Sequence, residues 1–379
     1  MTPRERLLCV LSGGIPDQVP ISPFVQEDFL SYFFRKETTS RLTDGVACAR
    51  ALGFDFMSRE KDYGVPHFMR KSYQNWELSS DSYIDRGFYY QVTSIQTPRK
   101  TLRKVAAAPY QKNLINGASL SVTEYLIKDE SDFEAFAAYV PPMDCEDRQR
   151  ILQGAQRSRQ VIGDSGISCP WCTGGVYNLT SEFIDIKEMM MDALCEPEYY
   201  DAYLSLFASL IRQSNEVFAE SCFDAVGLGG NIANGAMLGS KLFDEHILKY
   251  ETAALEPLQT AGKPTVYHNC GCARLLYDSY CKLGVTCWET IAEPTRGDND
   301  LAQAKQILGK ELILIGTFDQ VDFLKSATAQ EIYEKAAEQV RIGKPGGRYI
   351  FAASDFLEGG TPLENVKAML DGARSAARY

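Results

Sequence analysis

Pro264–Cys272 reads PTVYHNCGC, an apolar run that ends in His268, Cys270 and Cys272. Alternate side chains of an extended segment point to one side. His268 and Cys270 therefore face a common site and offer an imidazole nitrogen and a thiolate, the ligands that suit a borderline-soft ion such as zinc. Taken alone, the pair fits an interior histidine beside small apolar cysteines better. What the rest of the chain brings to the same place separates the two readings.

Cys169-Pro170-Trp171-Cys172 is the other reactive-looking cluster. Redox work needs the first cysteine of a C-x-x-C at a helix N-terminus, and a zinc site of this kind needs a second pair, which does not follow. A pocket wall built around Trp171 is the stronger reading. His246 lies on a mixed helix face, as a solvated or capping residue, and His67 falls in an aromatic-rich stretch that suits stacking or the surface. No G-x-S-x-G elbow supports a serine hydrolase. GLGGN (Gly227 to Asn231) lacks the dinucleotide-binding spacing, so its glycines serve backbone freedom at a strand end.

The elements that must position these residues follow from periodicity. Thr2, Pro3 and Glu5 mark a capped helix that stops at Gly13-Gly14. Strands are expected at Val19–Val25 and Phe54–Ser58, then at 167–172, 224–230, 264–269, 285–291, 312–317 and 348–354. Helical segments separate the later ones, near 186–221, 241–261, 273–283, 301–308 and 329–342, with a last helix over 362–377. Eight strands alternating with helices point to an α/β fold, a (β/α)8 TIM barrel in one domain over residues 1–379, with a doubly wound sheet as the alternative. An aromatic-rich, partly antiparallel β insertion interrupts it at about 59–121. Its aromatics either form a satellite core or line a substrate pocket.

The 379 residues carry 45% hydrophobic side chains and a net charge of −11, which excludes a mainly nucleic-acid-binding protein. No apolar run of membrane-spanning length and no signal-peptide pattern are present, so the expected setting is the cytoplasm without membrane association. Eleven cysteines scattered along a long chain predict reduced thiols.

In a barrel of this kind the reactive groups gather at the C-terminal strand ends. Here those ends supply Cys169 and Cys172, Asn231, His268, Cys270 and Cys272, Glu289 and Glu293, Asp319, and Ser354 and Asp355. A histidine, thiols and carboxylates on one rim are a metal-site inventory with a path for substrate.

With these residues in view, the chain resembles the uroporphyrinogen decarboxylase superfamily over nearly its whole length. The resemblance is carried by TPRERLLCVLSGGIPDQVPI at the start, EYLIKDESDFEAFAAYV, YHNCG, DLAQAKQILGKELILIGTFD and GGRYIFAASDFLEGGTPLENVKAM. It implies a (β/α)8 barrel. The decarboxylases of the superfamily carry an arginine-rich segment after the first strand, whereas PISPFVQEDFLSYFF has no arginine before Arg35.

The branch of corrinoid-dependent methyltransferases carries an H-x-C-G motif that supplies two zinc ligands, matched by His268-Asn269-Cys270-Gly271. Its thiol-methylating members add a cysteine ahead of a T-P-x-E-N motif. Counting back from Thr361-Pro362-Leu363-Glu364-Asn365 places Asp355 there instead. A carboxylate in place of a thiolate makes a harder, more Lewis-acidic centre.

The resemblance therefore implies O-demethylation: methyl transfer from a small methylated donor, such as an aryl methyl ether, to the cobalt of a corrinoid (cobalamin-type) partner protein. Zinc would be held by His268 and Cys270, with Asp355 or Glu293 completing the set. His268, Cys270 and Glu293 are the catalytic candidates, and Trp171, Tyr177 and Asn231 the candidates to cradle the donor. Transfer from a methylcobamide to a thiol or folate is the alternative, and decarboxylation the more distant one.

Overall fold

A computed structural model describes residues 1–110, 120–172 and 174–379. The fold is mixed α/β. The strands are β1 (Phe56–Met57), β2 (Glu77–Asp85), β3 (Phe88–Gln96), β4 (Thr101–Pro109), β5 (Ser121–Glu124), β6 (Gly166–Ile167), β7 (Val226–Gly229), β8 (Thr265–His268), β9 (Cys287–Glu289), β10 (Ile313–Phe318) and β11 (Tyr349–Ala353). Strands β11-β10-β9-β8-β7 form one parallel sheet, β1 pairs with β6, and β2-β3-β4-β5 form an antiparallel sheet.

Hydrogen bonds outside the regular ladders join the parallel pieces. Gly227 N donates to Pro170 O (2.8 Å) and Cys172 N to Gly227 O (3.0 Å), carrying the chain beyond β6 onto β7. Ser22 N donates to Phe351 O (2.8 Å), and Asp55 N to Ile21 O (2.8 Å), so the segment around Ile21 lies between β11 and the start of β1. Parallel bridges thus join Ile21 to β11 and Trp171 to β7, and a backbone hydrogen bond joins Ile21 to the residue before β1. The Val19–Val25 strand expected from sequence is reduced to bridges at Ile21 and Val25. Pro20 and Pro23 explain this, since each removes a ladder donor.

Alternation sorts the parallel strands onto two cores. Met57, Ile167, Cys169, Val266, Cys287, Ile313, Ile315, Ile350 and Ala352 pack together, with Leu7, Val10 and Leu11 of the first helix beside them. Their alternates, among them Tyr267, Trp288, Leu314, Tyr349 and Phe351, pack in the second core with the helices. The first helix, Pro3–Leu11, carries the expected capping box between Thr2 and Glu5.

Two expected helices are each divided. Ile186–Cys195 is followed by Pro197–Glu220, which has proline at its first position, and Gly239–His246 by Leu248–Thr260. Residues 111–119 of the expected insertion lie outside the described residues. Within the rest, Phe68 and Trp76 stack edge-on with Phe136 in the second core, while Tyr83 and Phe88 remain exposed. The insertion's largest buried aromatics therefore build core.

Candidate metal centre

β8 ends at His268, and its register sets His268 beside Glu289 at the end of β9. Two residues on, Cys270 returns to the same side, after which Gly271 turns the chain with φ +88. Open space surrounds that glycine, so the left-handed backbone and not crowding selects it. Asp355 arrives from the loop after β11, its carboxylate accepting from Phe356 N (2.7 Å). A ring nitrogen of His268, Cys270 Sγ and a carboxylate oxygen of Asp355 all lie within 4.8 Å of one another.

Behind this group runs a chain of buried polar contacts. His268 Nδ1 meets Glu289 Oε1 at 2.9 Å, and Arg59 Nη2 donates to Glu289 Oε2 at 2.5 Å. The carboxylate holds the Nδ1 proton, which leaves Nε2 as the free ligand atom. Burial works against a charged His268, but Cys270, Glu289 and Asp355 outweigh it and raise the imidazole to about 10. Burial likewise opposes ionised Glu289, but the Arg59 charge and His268 hold it below the usual carboxylate range. Asp355 is raised, chiefly by burial. The cluster thus has a strong demand for positive charge.

Aromatic rings enclose it. Trp171 stands edge-on to His268 with ring centroids 5.3 Å apart, and Phe24 lies 6.3 Å from Trp171 and 6.1 Å from Phe356. The Arg59 guanidinium sits over Phe24 (5.5 Å) and Trp171 (5.8 Å). Trp171 can lie across β7 because Gly227 has no side chain: a Cβ there would approach the indole to 2.9 Å.

The other sequence candidates are distributed differently. Glu293 stands apart from the three-donor group, with Gln339 Nε2 at 3.4 Å and Lys335 Nζ at 4.0 Å. Strand β9 ends at Glu289 and Thr290 turns at φ +71, so the alternation that would have carried Glu293 inward is broken. Glu289 is the carboxylate that reaches His268. Tyr177 is buried beside a separate apolar cavity of about 330 Å³, shared with Met190, Leu194, Tyr200, Leu242 and His246. Asn231 follows β7, where its carbonyl accepts from Asn234 Nδ2 (2.9 Å) and its Oδ1 is buried without a partner.

Cys169 and Cys172 are buried, and burial pushes each thiol up to about 12, which disfavours redox or ligand chemistry. His67 is buried and bonded to Pro141 O at 2.8 Å, and of its two expected settings it takes the stacked one, edge-on to Phe68 and Tyr73. Arg59 escaped the sequence reading. The signal for it was the alternation Met57, Arg59 past the end of the second expected strand.

Residues 117–376 match the family model described as uroporphyrinogen decarboxylase (URO-D). The chain belongs to the URO-D family. Among its relatives, the methylcobamide:CoM methyltransferase MtaA of Methanosarcina barkeri is 21% identical over 97% of this chain and 96% of that protein. The same enzyme from strain Fusaro / DSM 804 is 22% identical over the same shares. A methylated-thiol–coenzyme M methyltransferase of Methanosarcina mazei is 18% identical, but the match spans about half of each, 51% of this chain and 49% of that protein. A solved structure of a methyltransferase from Methanosarcina mazei superposes with a TM-score of 0.70 at 15% identity, covering 99% of both chains. That likeness shows a shared fold. Both relatives that span nearly the whole chain are methylcobamide:CoM methyltransferases.

Proposed function

We propose that this URO-D family protein is a corrinoid-dependent methyltransferase that demethylates a small methylated donor, such as an aryl methyl ether, at a zinc site formed by His268, Cys270 and Asp355. The observation that carries the reading is the approach of one nitrogen, one sulfur and one oxygen donor to within 4.8 Å at the ends of β8 and β11. Three protein ligands with room for a fourth is the arrangement of catalytic zinc. The residues fit the ion in a second way: His268 Nδ1 is tied to a carboxylate, the usual support behind a metal-ligating histidine. The parallel pairing supports a closed (β/α)8 barrel, built as one domain, whose strand ends form the site. A cytoplasmic setting fits free thiols and the finding that, among the described residues, no helix is long and apolar enough to cross a membrane.

When bound, zinc supplies Lewis acidity toward the donor's heteroatom, and a corrinoid on a partner protein supplies the methyl-accepting cobalt. His268 Nε2, Cys270 Sγ and the Asp355 carboxylate would hold the ion. Glu289 keeps the proton on Nδ1, and Trp171, Phe24 and Phe356 form an apolar wall that orients an aromatic donor and excludes water. The carbon–heteroatom bond would break with both electrons kept by the heteroatom, which would then take a proton from solvent, while the reduced cobalt of the partner's corrinoid would supply the electron pair for the new bond to the methyl carbon.

A second reading has its own support, because the full-length relatives are methylcobamide:CoM methyltransferases, and so a thiol acceptor stands as the alternative. Asp355 in the donor set favours the first, since one thiolate and one carboxylate make a harder centre than two thiolates. Decarboxylation has less support: Arg59, the arginine that reaches the site, is neutralised by Glu289.

Elemental analysis of anaerobically purified protein tests the proposal. About one zinc per chain is expected, and its loss from both His268→Ala and Cys270→Ala. Wild-type protein that neither carries zinc nor takes it up sinks the mechanism.

A further inference from the structure

The apolar cavity of about 330 Å³ beside Tyr177 is lined neither by the three metal donors nor by Trp171, Phe24 or Phe356. Helices Ile186–Cys195 and Gly239–His246 supply most of its wall, with Met190, Leu194 and Leu242 facing one another across it. That volume and lining suit a small molecule with an apolar body, to which the methionine can adapt.

Two polar groups on this wall lack a protein partner. Tyr177 is 2% exposed, yet its hydroxyl makes no hydrogen bond among the described residues, and burial raises it to about 12. A buried hydroxyl left so is costly unless something else meets it. Tyr200, on the same wall, shows the ordinary outcome by donating to His246 O at 2.8 Å. Lys187 is the second group. Its ammonium makes no ion pair among the described residues, and the carboxylate of Asp185 is engaged in capping the helix through Lys187 N (2.9 Å). Lys187 also stands in the first turn of that helix, where the backbone dipole disfavours a cation and favours an anion. The chain has 50 acidic side chains, and none of them lines the cavity.

We infer that this cavity binds a small apolar carboxylic acid, with its hydrocarbon body against Met190, Leu194 and Leu242, its carboxylate received by Lys187, and the Tyr177 hydroxyl donating to a ligand oxygen. A neutral apolar molecule would leave Lys187 without a role. The site is distinct from the metal centre, and its occupation does not depend on zinc.

Equilibrium dialysis of the full chain against decanoate tests this, with decanol as the same tail without the charge. Wild-type protein should take up one decanoate per chain, saturably, and hold decanol more weakly. Lys187→Ala changes an exposed side chain and should weaken decanoate about five-fold, the scale of a charge-assisted bond near solvent, while leaving decanol unchanged. Tyr177→Phe should weaken decanoate about three-fold, as for one neutral hydrogen bond. Leu242→Trp fills the cavity and should abolish uptake; if it does not fold, the contrast between decanoate and decanol in Lys187→Ala decides alone. His268→Ala should bind decanoate as the wild type does, so loss of the metal reading leaves this inference standing. Decanoate uptake lost in His268→Ala, kept in folded Leu242→Trp, or unchanged in Lys187→Ala overturns it. So does wild-type protein that takes up no decanoate, and a dimer then broken by Leu194→Asp would assign the cavity to a second copy of the chain.

Discussion

Glu289 and Glu251 are each 3% exposed, yet one is held below the ordinary carboxylate range and the other is pushed up to about 7. Glu289 stands at the end of β9 between Arg59 and His268, two groups that stabilise its charge. Among the described residues, Glu251, on helix Leu248–Thr260, accepts only backbone N–H groups, from Val176 (2.9 Å) and Tyr177 (3.0 Å), and no cation balances it. Burial of the same side chain therefore has opposite consequences in the two regions. Around β8 and β9 the chain maintains charge in its interior. Around Tyr177 it ties a short helical turn to a longer helix and tolerates the charge penalty. Maintained interior charge marks the region where chemistry is to be sought.

The largest effect should come from breaking the charged pair in metal-free protein. Arg59→Met leaves the buried Glu289 with only His268 to balance it and is expected to lower stability by about 3–5 kcal/mol, read from urea unfolding. Arg59→Met/Glu289→Gln should regain most of that loss, since the carboxylate that Arg59 balances goes with it. If the single and double variants are equally unstable, packing of the guanidinium between Phe24 and Trp171 outweighs pairing, and the contrast with Glu251 loses its electrostatic basis.

Glu251 should show the complementary behaviour. Its folded value lies above its unfolded one, 4.5, so between pH 4.5 and about 7 the native state holds a proton that the unfolded state has released. Stability contributed by this group is complete below pH 4.5 and is lost as pH rises to about 7, by about 3 kcal/mol in all. Glu251→Gln mimics the protonated form. The stability of the wild type relative to Glu251→Gln should therefore fall across that window and stay level on either side, as checked by unfolding curves at a series of pH values. A flat difference would place a hidden cation beside Glu251 and make the two regions alike.

Much of the first region was legible in sequence. His268 and Cys270 follow from alternation beyond an apolar strand, and Asp355 from its place ahead of the T-P-x-E-N motif; the fold sets all three together. The choice between Glu289 and Glu293 was not legible, because alternation says nothing of where a strand stops. Strand β9 ends at Glu289, and Thr290 at φ +71 turns the next residues away. Arg59 was hidden for a related reason. It sits where a strand of two residues gives way to the insertion, so its partner across the sheet, 230 positions later, is set by strand order and not by any local spacing. Tyr177 was grouped with Trp171 as a candidate to cradle the donor, yet Trp171 stands against His268 and Tyr177 lines the apolar cavity.

The smallest effect is the one that distinguishes those two aromatics. If the donor lies against the rings beside His268, Trp171→Ala should lower kcat/KM for demethylation of methoxyphenol with free cob(I)alamin by about ten-fold, near the value of one aromatic contact. Tyr177→Phe removes only a hydroxyl from the other region and should leave the rate within about two-fold. Trp171 also packs on Gly227 and Arg59, so the loss has a structural route as well as a binding one. Trp171→Phe separates them: it keeps a ring for the donor while reducing that packing, and should recover most of the rate. Were Tyr177→Phe instead the more damaging change, the donor would belong in the apolar cavity of about 330 Å³, and the region of Glu251 would have to be counted as part of the site.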